Sequence, residues 1–261
     1  MANIKLTIEY AGTPYSGWQY QKDEKTVQGE IEKAIFKFSG EKKTIQGAGR
    51  TDAGVHAKGQ VFHFDADWKH EADDMLSAMR AHFPVGISPR SVLPAGPRFH
   101  ALVSAKGKRY RYRAVAGWAM PEEDRFVLSL KNRTPDLERM KEAAAHLVGT
   151  HDFSSFAAFP GNDKIESTVK TVWEIKILSR ARSFEITVLG GGFLYKMVRS
   201  IAGALLDVGC GNGAFSELII GKGAPSRLLG IDPSPEQIKF ASERGLGPAA
   251  TFDVGDAMHL S

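Results

Sequence analysis

An aspartate set among glycines, Gly47-Ala48-Gly49-Arg50-Thr51-Asp52-Ala53-Gly54-Val55-His56-Ala57, is the stretch of this 261-residue chain best suited to chemistry. Glycine lets a backbone take positive φ or run close to another group. The spacing therefore predicts Asp52 on a bend, with the Arg50 guanidinium two residues upstream. A carboxylate held beside an arginine can act as a nucleophile or as a general base. Alone, a Gly-Arg-Thr-Asp sequence is an ordinary turn with an ion pair; the full eleven-residue string is more specific. A second stretch, Lys106-Gly107-Lys108-Arg109-Tyr110-Arg111-Tyr112-Arg113, reads as a strand. Side chains alternate along a strand, so Tyr110 and Tyr112 share one face and Arg109, Arg111 and Arg113 the other. That pattern suits a core-directed tyrosine row under a solvated basic row. It equally suits a ring against a base with arginines near phosphates. A third stretch runs from Gly190-Gly191-Gly192 into Phe193-Leu194-Tyr195-Lys196-Met197-Val198-Arg199-Ser200-Ile201. The glycines allow a turn into a helix, with Leu194, Val198 and Ile201 on one face and Arg199 on another.

Regular elements must hold these groups. Ile4, Leu6, Ile8 and Tyr10 alternate with polar residues as a half-buried strand. Ala11 to Lys25 is a loop whose Tyr15, Trp18 and Tyr20 either stack on bases or cover the core. Thr26 can cap a helix with Val27, Ile31, Ala34, Ile35 and Phe38 on its apolar face. Thr44–Gln46 and Gln60–Phe64 are short strands on either side of Asp52. A helix with Met75, Leu76, Met79 and Phe83 ends at Pro84, and Ser91–Leu93 is a strand. The order strand, helix, strand, strand, helix, strand suits helices packed on one antiparallel sheet. Beyond Arg113 comes a loop over Gly117–Arg133. Thr134-Pro135-Asp136 then starts a helix with Pro in its first position, and Gly149 ends it. His151-Asp152-Phe153-Ser154-Ser155-Phe156 reads as a turn with two core phenylalanines. Val172–Ile177 and Phe184–Leu189 alternate as strands.

Hydrophobic residues form 43% of the chain and charged residues 25%, the balance of a soluble globular protein. No apolar run is long enough to span a bilayer, and no signal peptide opens the chain, so a cytoplasmic setting is expected. The single cysteine, Cys210, rules out an intrachain disulfide and a cysteine-cluster metal site. The 34 basic and 30 acidic residues are unevenly spread: 4 and 7 lie in 205–261, which leaves 30 and 23, a net +7, in 1–204. The body of the chain has the charge of a polyanion's partner, and the tail does not.

Together the three stretches resemble the tRNA pseudouridine synthase A family, from the start of the chain to about residue 209. The resemblance implies isomerisation of uridine to pseudouridine in the anticodon arm of tRNA, without a cofactor, by a homodimer that needs no membrane. It implies that Asp52 reacts at the sugar, that Tyr110 packs on the uracil, and that Arg199 lies beside Asp52 and favours its charged form. Arg50 would help hold the flipped nucleotide, and Arg111 and Arg113 would meet the RNA backbone.

At Leu205-Leu206-Asp207-Val208-Gly209 a second resemblance begins. These residues suit the end of a synthase helix, and equally the first strand of a class I S-adenosylmethionine-dependent methyltransferase. Asp207-x-Gly209-x-Gly211-x-Gly213 is similar to that family's cofactor loop. Arg227–Asp232 and Thr251–Ala257 read as further strands, and Pro235–Arg244 as a helix. Asp232 would contact the ribose hydroxyls and Asp256 the adenine. The chain would then be a chimera: a gene fusion, a recombination product or an error of sequence assembly. The expected fold is α+β, with two similar antiparallel-sheet-plus-helix domains, 1–104 and 105–204, forming a basic cleft. A truncated Rossmann-like βαβαβ fragment follows over 205–261. S-adenosylmethionine would bind only if that fragment folds, and three strands in 57 residues are expected to be too few.

Overall fold

The computed structural model describes residues 2–67, 71–131, 134–158, 167–210, 228–232, 239, 242–243, 248 and 250–254. It divides into two compact units, Met1–Lys106 and Gly107–Ser261.

The first unit follows the order read from the sequence: β1 (Ala2–Tyr10), α1 (Val27–Ser39), β2 (Gln46–Gly47), β3 (Ala57–Ala66), α2 (Ala72–His82) and β4 (Ile87–Ala95). The sheet order is β2-β3-β1-β4, antiparallel throughout. Register puts Ile4 opposite Phe64 and Leu6 between Phe62 and Val92. One face of the sheet thereby becomes a continuous apolar surface, which α1 covers with Ile31 and Ile35 and α2 with Met75 and Met79. Burying a side chain of this size contributes about 1.5–3 kcal/mol. Thr26 caps α1, its hydroxyl accepting from the Gly29 N–H at 3.2 Å. Gly40, at φ 73°, ends it.

The second unit comprises β5 (Lys108–Val115), β6 (Leu128–Ser129), α3 (Leu137–Leu147), β7 (Gly149–Asp152), a 3-10 turn (Ser154–Phe156), β8 (Val169–Arg180), β9 (Ser183–Gly190) and α4 (Met197–Cys210). Its sheet runs β6-β5-β9-β8-β7. Three pairings are antiparallel, but β6 joins β5 in parallel, so this sheet is mixed rather than purely antiparallel. The two-residue strand carries no periodic signal, which is why the sequence read as loop there. The helix start also differs. Asp136, not Thr134, is the N-cap of α3, accepting from the Glu138 and Arg139 N–H groups, and Pro135 lies outside the helix. Phe184, Ile186 and Val188 from β9 meet Met140 and Ala144 of α3 and Met197, Ile201 and Leu205 of α4 in an apolar core.

The tail corrects one expectation. Leu205–Gly209 is not a strand: α4 continues through it to Cys210, and Leu205 and Leu206 are buried in the second core. The expected fragment therefore does not open on a strand at 205. Beyond α4, the described residues include a parallel pair, β10 (Leu228–Asp232) with β11 (Ala250–Val254). Most of Pro235–Arg244 lies outside the described residues. Among the described residues no helix is long and apolar enough to cross a membrane.

Candidate active site

The Asp52 loop is built from its neighbours inward. β2 delivers the chain to it and β3 takes it away, and the loop between them is fastened at both ends. Ala48 N–H donates to the Val61 carbonyl at 2.7 Å, and Gln60 Nε2 to the Gly49 carbonyl at 2.6 Å. Its middle rests on the loop after β1. Trp18 N–H donates to the Thr51 carbonyl at 3.0 Å, Gly54 N–H to the Tyr15 carbonyl at 3.4 Å, and Gly12 N–H to His56 Nδ1 at 3.1 Å. The Tyr10 and Thr51 hydroxyls lie 2.8 Å apart. Asp52 itself opens a turn closed by a Val55 N–H bond to its carbonyl at 3.1 Å, with Gly54 at φ 78°. The approach of the two loops requires glycine at Gly12, where a Cβ would overlap the Val55 carbonyl.

Asp52 is half-buried and Arg50, on the same loop, is exposed. The aromatics of the preceding loop divide. Tyr15 and Trp18 are 3% and 2% exposed and cover the core, whereas Tyr20 is 55% exposed. Burial, with a smaller contribution from Glu30, pushes the Tyr15 hydroxyl up from its usual range.

Three side chains that support this loop went unnoticed in the sequence. Gln28 Oε1 accepts from Tyr20 N–H and Gln19 Nε2, both at 3.0 Å. Its Nε2 donates to Glu32 at 2.8 Å, and Glu32 in turn accepts from the Ile45 N–H at 3.1 Å. His63 Nδ1 accepts from the Ala101 N–H at 3.2 Å, and the ring also bonds the Gln46 backbone. Desolvation first, and then the adjacent His100, hold the His63 imidazole below its usual range. The signal for Gln28 was a polar residue in register with Ile31 and Ile35 on the apolar stripe of α1.

In the second unit the strand alternation holds. Tyr110 and Tyr112 pack against the core, while Arg109, Arg111 and Arg113 are exposed. Arg111 pairs with Glu185 at 3.4 Å, a distance that in solvent gives little stability. Tyr110 meets Phe193 edge to face, centroids 5.4 Å apart. The glycine run does not lead straight into the helix. Met197 N–H closes a turn onto the Leu194 carbonyl, Lys196 takes φ 60°, and α4 starts only at Met197, with Arg199 half-exposed in its first turn. His151 and Asp152, expected in a turn, instead end strand β7 opposite Lys170 and Val169, because the pairing partner lies across the sheet in β8; hydrogen bonds from Thr168 and from the Ser154 N–H hold the Asp152 carboxyl low.

Of the second candidate site, Asp207 and Gly209 belong to α4 and Asp232 ends β10, while Gly211, Gly213 and Asp256 lie outside the described residues. Asp207 and Gly209 do not have the backbone that an S-adenosylmethionine loop requires. The cofactor loop must leave the end of a strand, and here the residues that should form the strand are helical.

Comparison with known proteins bears on both regions. A family model described as tRNA pseudouridine synthase matches residues 6–102 and 143–221. A methyltransferase domain model matches 205–261, so the two overlap over 205–221. The tRNA pseudouridine synthase A of Shouchella clausii is 36% identical over 240 residues, 90% of this chain and 90% of that protein. That of Lactobacillus helveticus is 41% identical over 211 residues, 79% and 80% of the two chains. The tRNA pseudouridine synthase A 1 of Desulfotalea psychrophila is 38% identical over 216 residues, 81% and 86%. Residues 1–204 are fewer than nine-tenths of 261, so the similarity to the Shouchella clausii protein continues into the tail. With the matched segments carrying both the Asp52 loop and α4, the chain belongs to the tRNA pseudouridine synthase family.

Proposed function

We propose that this protein isomerises uridine to pseudouridine in the anticodon arm of tRNA. The observation that carries the reading is the Asp52 loop, a carboxylate on a turn fastened to two strands and to the loop after β1, in a chain of this family. The target bond of a stacked base is out of reach, so the uridine leaves the stack. Asp52 acts at the sugar as nucleophile or as base. The N1–C1′ bond breaks, the uracil turns, and C5 bonds to C1′. The proton from C5 leaves and N1 gains one, so the change is an isomerisation with no net reagent. Tyr110 takes the uracil against its ring, Arg199 supplies positive charge that favours the carboxylate form of Asp52, and Arg50 steadies the flipped nucleotide. Arg111 and Arg113 meet phosphates. Assembly as a homodimer and a cytoplasmic setting belong to the same reading.

The test is Asp52→Asn. Pseudouridine formation, read by mass spectrometry of digested tRNA, should fall about 10²–10⁴-fold, the usual share of a reacting acid–base group, with tRNA affinity kept. A wild-type rate in this variant sinks the assignment.

The methyltransferase match over 205–261 supports a second reading, S-adenosylmethionine binding by the tail. The helical state of Leu205–Gly209 weighs against it. Isothermal titration of the full chain should give no one-to-one isotherm; micromolar binding at one site per chain would make the second reading the better one for this region.

A further inference from the structure

Lys108 opens β5 on the same face as Tyr110, Tyr112 and Ala114, the face turned toward the apolar core of the second unit. It lies opposite Gly190 in the register with β9, at the head of the glycine turn that leads to Phe193. Phe193 holds the edge of the Tyr110 ring, so the lysine stem, the tyrosine and the glycine turn share one corner of the sheet. The spacing from Lys108 to Tyr110 is two strand residues, about 7 Å.

What sets this lysine apart on its strand is burial: Arg109, Arg111 and Arg113 are exposed on the outer face, Arg111 there pairing with Glu185, whereas Lys108 is half-buried on the core side. Among the described residues no ion pair or hydrogen bond holds the Lys108 ammonium. Burial alone pushes it below the usual lysine range, with no carboxylate acting in the opposite direction. A half-buried charge that has lost water and gained no partner lowers stability. Such a cost is expected where an anion arrives from outside.

We propose that Lys108 binds a phosphodiester oxygen of the RNA beside the uridine that packs on Tyr110, and so sets the position of that nucleotide. The inference rests on the proposed function through the role given to Tyr110. A phosphate suits the site better than a uracil carbonyl. It brings the full negative charge that repays desolvation of an ammonium, and one strand repeat separates the Lys108 and Tyr110 backbone positions, a spacing on the scale of that between a nucleotide's phosphate and its base.

The experiment uses the full chain with Lys108→Met, Lys108→Gln and Lys108→Arg. tRNA affinity is measured over a salt series, with thermal melting and single-turnover pseudouridine formation alongside. Loss of one phosphate contact should lower affinity about ten-fold or more and reduce the log–log salt slope by about 0.7–0.9 in both Lys108→Met and Lys108→Gln. Lys108→Arg should restore both. Lys108→Met should melt no lower than wild type, because an unpartnered charge gives way to an apolar stem. Wild-type affinity and slope in Lys108→Met overturn the inference, as does a lowered melting temperature with unchanged affinity, the mark of a structural lysine. A loss of rate with an unchanged slope assigns the ammonium to the uracil and overturns the phosphate. A wild-type chain that binds tRNA but makes no pseudouridine overturns the proposed function instead, and the salt slope still decides Lys108.

Discussion

The two units solve the same architectural problem with different cores. In both, a sheet, antiparallel in the first unit and mixed in the second, is covered by helices, and a glycine-rich stretch precedes a candidate site residue. Yet the buried polar side chains among the described residues, Thr26, Gln28 and His63, all belong to the first unit, and the second core is apolar. The reason lies in what each unit must hold. Asp52 sits on irregular backbone, whose N–H and C=O groups find no ladder partners and must be satisfied one by one. Gln28 and Glu32 serve the chain on the approach to β2, His63 ties Gln46 to Ala101, and the loop after β1 takes the rest. Tyr110 and Arg199 ride on a strand and a helix, whose own hydrogen bonds fix them, so apolar packing suffices. A carboxylate on a loop costs the fold a polar scaffold; a side chain on a regular element does not.

The sharpest way to break this comparison is to crowd each glycine-dependent contact. Gly12→Ala sets a methyl group against the Val55 carbonyl, and Gly190→Ala sets one 2.7 Å from the Thr171 carbonyl and 3.0 Å from Phe193. Each should destabilise the chain by about 1–3 kcal/mol. Their functional effects should separate. Gly12→Ala shifts the Asp52 loop and should slow single-turnover pseudouridine formation about 10²-fold, the effect of roughly 1 Å of misplacement. Gly190→Ala disturbs the wall behind Tyr110 and should weaken tRNA binding first. Equal losses of rate and affinity in both variants would erase the distinction.

A smaller effect should come from the outer face of β5. Replacing Arg111 and Arg113 together by Ala should reduce the salt slope of tRNA binding by about 1.4–1.8, two phosphate contacts' worth, while the rate at saturating protein stays near wild type. An unchanged slope would show that this face does not meet the RNA, despite the net charge of +7 over residues 1–204.

The smallest effect is one of pH. Burial holds the His63 pKa below its usual value, with His100 adding to the effect at a ring distance of 4.8 Å and the Gln46 backbone bond, then Asp65, opposing it. In the unfolded chain it titrates near 6.5. The unfolded state therefore takes up the proton first, and stability is lost as pH falls below about 6.5, levelling off beneath the folded pKa. Melts of wild type and His63→Gln between about pH 5 and 8 should differ in slope on the acid side, with the variant flatter. Parallel curves would show that the polar scaffold of the first unit does not titrate.

The sequence alone determined most of the element order. Alternation in Ile4–Tyr10 and Phe184–Leu189 and the apolar stripes at Val27–Phe38 and Leu137–Leu147 are local patterns, and local geometry makes them legible. The Asp52 loop was legible as a motif, and so was the division of Tyr110 and Arg111 between two faces. Tertiary structure decided what depends on distant partners. Leu205-Leu206-Asp207-Val208-Gly209 is too short and too apolar for periodicity to separate strand from helix. It is helical where Leu205 and Leu206 enter the core that α3 and β9 build. Tyr15 and Trp18 had two roles open to them until the fold buried both. Pairing of Leu128–Ser129 beside Ala114 and Val115, and the bonds from Gln28, Glu32 and His63 to backbone far along the chain, have no counterpart in local spacing. A hydrogen bond between residues tens of positions apart exists only once the chain between them has folded, and such bonds are what fasten the Asp52 loop.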